Sequence, residues 1–206
     1  MVCCCRGLQN RTAMSVSYLK NYLGFALTDD EMHDIPYPYV ELHTHVFIKA
    51  AQVFGTLGTL VIGPVSAVIR SKTRSLAGIK SSSYKCGKWG VIISLAFAPV
   101  MTQAVLKGRK ADRDSVYDRC YRLRNNRGQV RVDRGSAVGA VSGAALAGPV
   151  GATPLMGALF GMSAGFISMG VYNSFLLPKK ETKKWLYGWH SMLLIFKCLL
   201  PSWWCS

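Results

Sequence analysis

The sequence predicts an all-α polytopic membrane protein, a four-helix transmembrane bundle packed through glycine faces. Three observations lead there. The chain is strongly basic yet apolar, with formal charge +15, 50% hydrophobic residues and a mean hydropathy of +0.20 over 206 residues. Its charges are segregated, so that Gly135 to Pro178 runs 44 residues without a charged side chain. Its glycines recur at four-residue spacing where charge is missing. A bilayer core takes about 20 apolar residues per helix, so a run of this length suits two spans and not one.

The charge map orders the chain. Residues 1–45 carry three basic and five acidic side chains, residues 70–88 six basic and no acidic, and residues 107–134 ten basic and four acidic. Such apolar content excludes disorder, and the blocks lack the alternating polarity of a transmembrane barrel. The expected organisation is an N-terminal extramembrane segment over 1–45, a four-span domain over 46–178, and a basic then aromatic tail over 179–206.

Residues 1–28 contain Arg6, Arg11 and Lys20 without an acid. They read either as an organelle transit peptide or as an interfacial helix that stays on the protein. Cys3, Cys4 and Cys5 beside Arg6 are candidates for acylation. Thr28 and Glu31 have the spacing of a capping box, so a short helix is expected there, ended by Pro36 and Pro38. From Asp34 to His45 the chain reads as an extended approach to the membrane. In that reading Glu41, His43 and His45 share one side of a strand, a poor metal site with no partner cluster elsewhere.

Span one is expected at about 46–69, with Lys49 one turn inside and its ammonium snorkelling to the surface. Span two, about 89–106, opens at Trp89 and tolerates Pro99. Spans three and four, about 135–150 and 154–177, form a hairpin about the turn from Gly148 to Thr153. Between spans two and three, Lys107 to Arg134 begins as a soluble helix with an Asp118–Arg122 pair and an interfacial stripe of Val116, Tyr117, Cys120, Tyr121 and Leu123, broken at Asn125, Asn126 and Gly128. Gln103 and Asn173 are expected as interhelical hydrogen-bond partners. The tail, with Trp185, Trp189, Trp203 and Trp204, reads as an interfacial segment or a fifth span.

Gly135, Gly139, Gly143 and Gly148 on span three, and Gly157, Gly161, Gly165 and Gly170 on span four, are the predicted helix-packing residues. Residues four apart share a helix face, and small faces let backbones approach closely in lipid. Arg70, Lys72, Arg74, Arg119, Arg122, Arg124, Arg127, Arg131 and Arg134 are assigned to anionic lipid headgroups or partner subunits. Nucleic acid is disfavoured because these arginines lie between spans. No catalytic, cofactor-binding or metal-ligating set is expected, since the chain has no phosphate loop, nucleophile motif or paired carboxylates.

Four glycine-laddered spans, with Arg131, Asp133, Gly139 and Gly143 at the entry to the third, resemble the mitochondrial inner-membrane preprotein translocase family, which includes import-channel subunits and an accessory subunit of respiratory complex I. The resemblance covers about 46–177. It implies a multi-pass protein of the mitochondrial inner membrane with its termini in the intermembrane space. The role it implies is that of a non-catalytic structural or assembly subunit, respiratory complex I being the first host and a protein-import translocase the alternative.

Overall fold

The computed structural model describes residues 16–70 and 75–176, the side chain of Arg70 excepted, and is helical throughout its regular segments. α1 (Val16–Leu23) and α2 (Asp29–His33) precede α3 (Pro38–Leu57), which passes through a π turn at Gly58–Ile62 into α4 (Gly63–Arg70). α5 (Leu76–Gly108) returns antiparallel to it, α6 (Arg113–Asn125) is short, and α7 (Arg127–Leu146) and α8 (Pro154–Val171) form a second hairpin. Three helical stretches, Pro38–Ile69, Leu76–Gly108 and Pro154–Leu176, are long and apolar enough to cross a membrane.

Local sequence explains the boundaries. Thr28 accepts from the Glu31 amide while Glu31 reaches back to the Thr28 amide, the capping box expected from their spacing. Pro38 stands at the start of α3, where its missing N–H is no loss. The expected extended segment therefore ends at Tyr37, and residues 38–45 are helical. The π turn has a comparable cause. Pro64 offers no N–H to the carbonyl four residues back, and the ladder shifts to a bond from the Gly63 amide to the Gly58 carbonyl. Asp112 caps α6 through the Ser115 amide, and Asn126 separates α6 from α7 by accepting from Gln129.

Two hairpins pack closely because glycines leave backbone against backbone. A Cβ on Gly139 would fall on the Gly161 carbonyl, one on Gly143 on the Gly157 carbonyl, and one on Gly165 on the Gly135 carbonyl. Each step of four up α7 is a step of four down α8, the register of an antiparallel pair. Gly148 lies past the end of α7 in a 3₁₀ turn, and a Cβ there would meet open space. Gly170 lies in α8, its carbonyl accepting from the Ser174 hydroxyl. On the other hairpin, Gly58, Gly63 and Gly90 abut the backbones of Cys86, Ser83 and Phe54.

That second register corrects the reading of 70–88 as a water-facing loop. α5 begins at Leu76, and its buried stripe of Ser83, Gly87, Ser94, Ala98 and Thr102 runs along α3 and α4. Lys85 and Lys88 consequently lie level with the Gly58–Ile62 turn, Lys85 facing outward and Lys88 over the Tyr84 ring. Lysines so placed on a spanning helix reach the surface by extending their stems. Lys72, Arg74, residues 1–15 and the tail from 177 onward lie outside the described residues, and with them the acylation, transit-peptide and fifth-span expectations.

Burial is inverted relative to a water-soluble domain. Leu60, Val61, Ile62, Ile93, Val138, Val141 and Phe175 point outward, whereas Gln52, Thr59, Ser94 and Ser163 are at most 2% exposed. Most buried hydroxyls bond within their own helix: Thr59 to the Gly55 carbonyl, Ser94 to Val91, Thr102 to Ala98, Ser136 to Val132 and Ser163 to Leu159. This satisfies them without water. A conventional apolar core occurs at one end, where Ile35, Leu42, Leu106, Val116 and Cys120 cluster with Tyr117, Tyr121 and Leu123 around them. The α6 stripe expected at the lipid interface is thus a protein core, packed on α2 and α3.

The glycine contacts predict a sharp positional contrast. Gly161→Leu forces α7 and α8 apart and lowers the melting temperature of the detergent-solubilised protein, overpacking of this kind costing about 1–3 kcal/mol or more. Gly148→Ala, with open space around it, changes stability by no more than about 0.5 kcal/mol and leaves the melting temperature close to that of the parent. Equal loss from both would contradict the packing described.

Candidate functional site

Helical spacing on α3 gathers its polar residues on one face. Glu41, His45, Lys49, Gln52, Thr56 and Thr59 follow steps of four, four, three, four and three, the repeat of a single helix stripe. All face inward, and α6 and α7 supply the partners of Glu41, His45, Lys49 and Gln52. His43 lies off this stripe, taking a hydrogen bond from Gln103 at 3.2 Å. The arrangement of Glu41, His43 and His45 on one side of a strand is thereby replaced, and among the described residues no cluster of three potential metal ligands forms.

The outermost pair is Glu41 and Arg124, their side chains 2% and 1% exposed. Nε and Nη2 of Arg124 donate to the two carboxylate oxygens at 3.1 and 2.5 Å, a bidentate fork. Nη1 donates to the carbonyls of Glu31, Met32 and Asp34, the groups left without partners where α2 ends. The Arg124 carbonyl accepts from Asn21 of α1 at 3.1 Å. One buried arginine thus joins α1, α2, α3 and α6. The expectation that Arg124 faces lipid is corrected for a simple reason: it follows Val116 and Cys120 by steps of four on the buried face of α6.

Deeper along the stripe, Lys49 Nζ lies 2.6 Å from Asp133 Oδ1, and Gln52 donates to the same oxygen at 2.9 Å. Lys49 does not snorkel, because Asp133 on α7 is presented to it inside the protein. His45 Nε2 lies 3.1 Å from Gln129 Oε1. At the same open end of the α7–α8 hairpin, Asn173 donates to the Gly128 carbonyl at 2.8 Å, fulfilling its expected interhelical role. Among the described residues the Gln52 and Asn173 amide oxygens and the Thr56 hydroxyl are buried without hydrogen-bond partners.

α1 closes the network from outside. Tyr18, Asn21 and Tyr22 line a cavity of about 20 Å³ with His45, Arg124 and Asp133, a space of single-water size. Burial, followed by the nearby Asp133 carboxylate, raises the pKa of Tyr18 and Tyr22, so both phenols stay protonated. Arg134 fastens the helix end by donating to the Asn21 carbonyl at 3.2 and 2.6 Å. The remaining expected basic residues divide. Arg122 is exposed and paired with Asp118 at 2.5 Å, Arg119 is half-buried, Arg127 is exposed, and Arg131 and Arg134 are partly buried beside α1.

Such an arrangement can hold helices in register and bury charge at a membrane boundary. Its ionisable groups are mutually committed, and the nearby thiol is quiet: Cys120 donates to the Pro38 carbonyl, and burial pushes its pKa up to about 12. All-helical architecture, apolar outward faces and an internal polar stripe define the class, an α-helical membrane protein. Within that class the chain belongs to the family described as a protein of unknown function (DUF1757), which matches residues 18–172, the stretch from α1 to the end of α8. No curated protein matches the chain.

Two outcomes follow. Arg124→Ala or Glu41→Ala leaves a buried charge unpaired and lowers stability by roughly 3–5 kcal/mol in thermal melts, and Arg124→Lys fails to restore it because an ammonium cannot span the carboxylate and three carbonyls together. Cys120, protonated far above neutral pH, resists maleimide in the folded protein at pH 8 and reacts once the chain is unfolded, as peptide mass spectrometry reads directly.

Proposed function

We propose that this chain is a non-catalytic structural or assembly subunit of a mitochondrial inner-membrane complex, most of all respiratory complex I. In this reading its two hairpins form a four-span bundle held by glycine-zipper packing. α7 supplies the third span, with its charged first two turns at the membrane boundary and the run from Gly135 within lipid. Arg131, Asp133, Gly139 and Gly143 carry the likeness to the preprotein translocase family.

The observation that carries the reading is the direction in which polarity points. A subunit that guides polypeptide needs a polar groove open to lipid on one side of the bundle. Here the α3 stripe is turned inward and covered: Gln52 is 2% exposed and Thr59 fully buried, while outward positions bear Leu, Val and Ile. Apolar outer faces suit contact with lipid and with apolar helices of neighbouring subunits. Ion conduction is disfavoured because the paired Lys49 and Asp133 leave no free charge along the stripe for an ion to follow.

Gentle detergent extraction of the tagged full chain, a native gel and mass spectrometry of the band test the proposal. Co-migration with complex I subunits is expected. Migration with the import machinery would move the assignment to the translocase alternative, and migration alone would defeat both.

A further inference from the structure

Between α1, the turn leading to α2, and the first two turns of α7 lies a cleft of about 450 Å³. Arg127, Arg131 and Arg134 line it from α7, where steps of four and three put them on one face. Arg124 also reaches it, but its charge is matched by Glu41. The cleft's carboxylate is Asp29, so three cationic forks face one anion. Arg134 spends its Nε and one Nη on the Asn21 carbonyl, which neutralises no charge. Nη1 of Arg131 is buried and has no acceptor among the described residues. A guanidinium donor removed from water without an acceptor is costly, and an anion seated against the rest of the same guanidinium offsets part of that cost.

The surroundings identify the kind of anion. Arg134 is the last charged residue before the 44-residue stretch without charge, so the cleft opens where α7 enters its apolar part. Phe25, Ala26 and Leu27, which follow α1, line the cleft with their apolar side chains, and Val16, Leu19 and Leu23 are exposed apolar side chains on α1 itself. An anion held by arginines with apolar side chains alongside is the pattern of a phospholipid, its phosphate in the cleft and its acyl chains against α1.

We infer that the α1–α7 cleft is a binding site for the phosphate headgroup of an anionic membrane phospholipid, held by Arg127 and Arg131 with Arg134 as its floor. It is independent of which complex hosts the chain.

Native mass spectrometry of the full chain in detergent, titrated with phosphatidylglycerol, phosphatidylcholine or inorganic phosphate, tests it. Phosphatidylglycerol is expected to bind in preference to phosphatidylcholine. Arg131→Gln and Arg127→Gln each weaken it about fivefold, the value of roughly one favourable headgroup contact, and Arg113→Gln, the same charge change at an exposed position of α6 outside the cleft, leaves it unaltered. Arg127 is exposed, so its variant keeps the fold even where Arg131→Gln lowers stability. Unchanged binding in both cleft variants, or an equal effect of Arg113→Gln, overturns the site. Displacement of the lipid by inorganic phosphate at equal concentration would overturn the lipid assignment.

Discussion

Asp133 is the residue on which the two hairpins depend. It arrives on α7 two residues before the long charge-free stretch, where an unpaired carboxylate is costly, and it meets Lys49 and Gln52 from α3 at 2.6 and 2.9 Å. Each charge is tolerable only because the other is there. Since one sits on each hairpin, their attraction sets the depth at which α7 lies against α3. The glycine ladder then fixes α8 against α7, and the Ser83, Gly87 and Gly90 face fixes α5 against α3, the π turn and α4. Arg124 repeats the arrangement one level outward, fastening α1, α2 and α6 over the end of the bundle.

Two kinds of adhesion are therefore divided by depth. Where lipid surrounds the helices there is no hydrophobic drive to pair them, and contact comes from backbones brought together at positions without side chains. Where the helices emerge, Ile35, Leu42, Leu106, Val116 and Cys120 bury one another in the ordinary way. The polar stripe of α3 spans both zones. Its outer members, Glu41 and His45, are satisfied by α6 and α7, and Thr59 farther in by its own helix, so polarity declines toward the apolar end.

Much of this was legible in the sequence, and the failures share a cause. The charge-free stretches and four-residue glycine spacing pointed to the helical class and to the α7–α8 face, and Thr28 with Glu31 to the α2 cap. Reading charge as a marker of water exposure hid the site. Glu41, His45 and Lys49 recur at steps of four, as do Val116, Cys120 and Arg124, so periodicity marks the buried faces that charge alone does not. A strand over Glu41 to His45 has a two-residue repeat, and the stripe emerges only because Pro38 starts a helix there. The start of α5 is masked in the same way, its lysines alternating with the small-residue face of Ser83, Gly87 and Gly90. Which acid meets which base is a tertiary fact across 80 or more residues of chain, and no local pattern carries it.

The central claim, that charges on two hairpins hold the bundle in register by satisfying each other, is tested most directly by a double-mutant cycle on Lys49→Met and Asp133→Leu, read as thermal stability of the detergent-solubilised protein. Each single variant should lose several kcal/mol, about 3–5 for breaking a buried pair, and the double variant should lose much less than their sum. Losses that simply add would mean that Lys49 and Asp133 are independent, and the register would have to be set elsewhere.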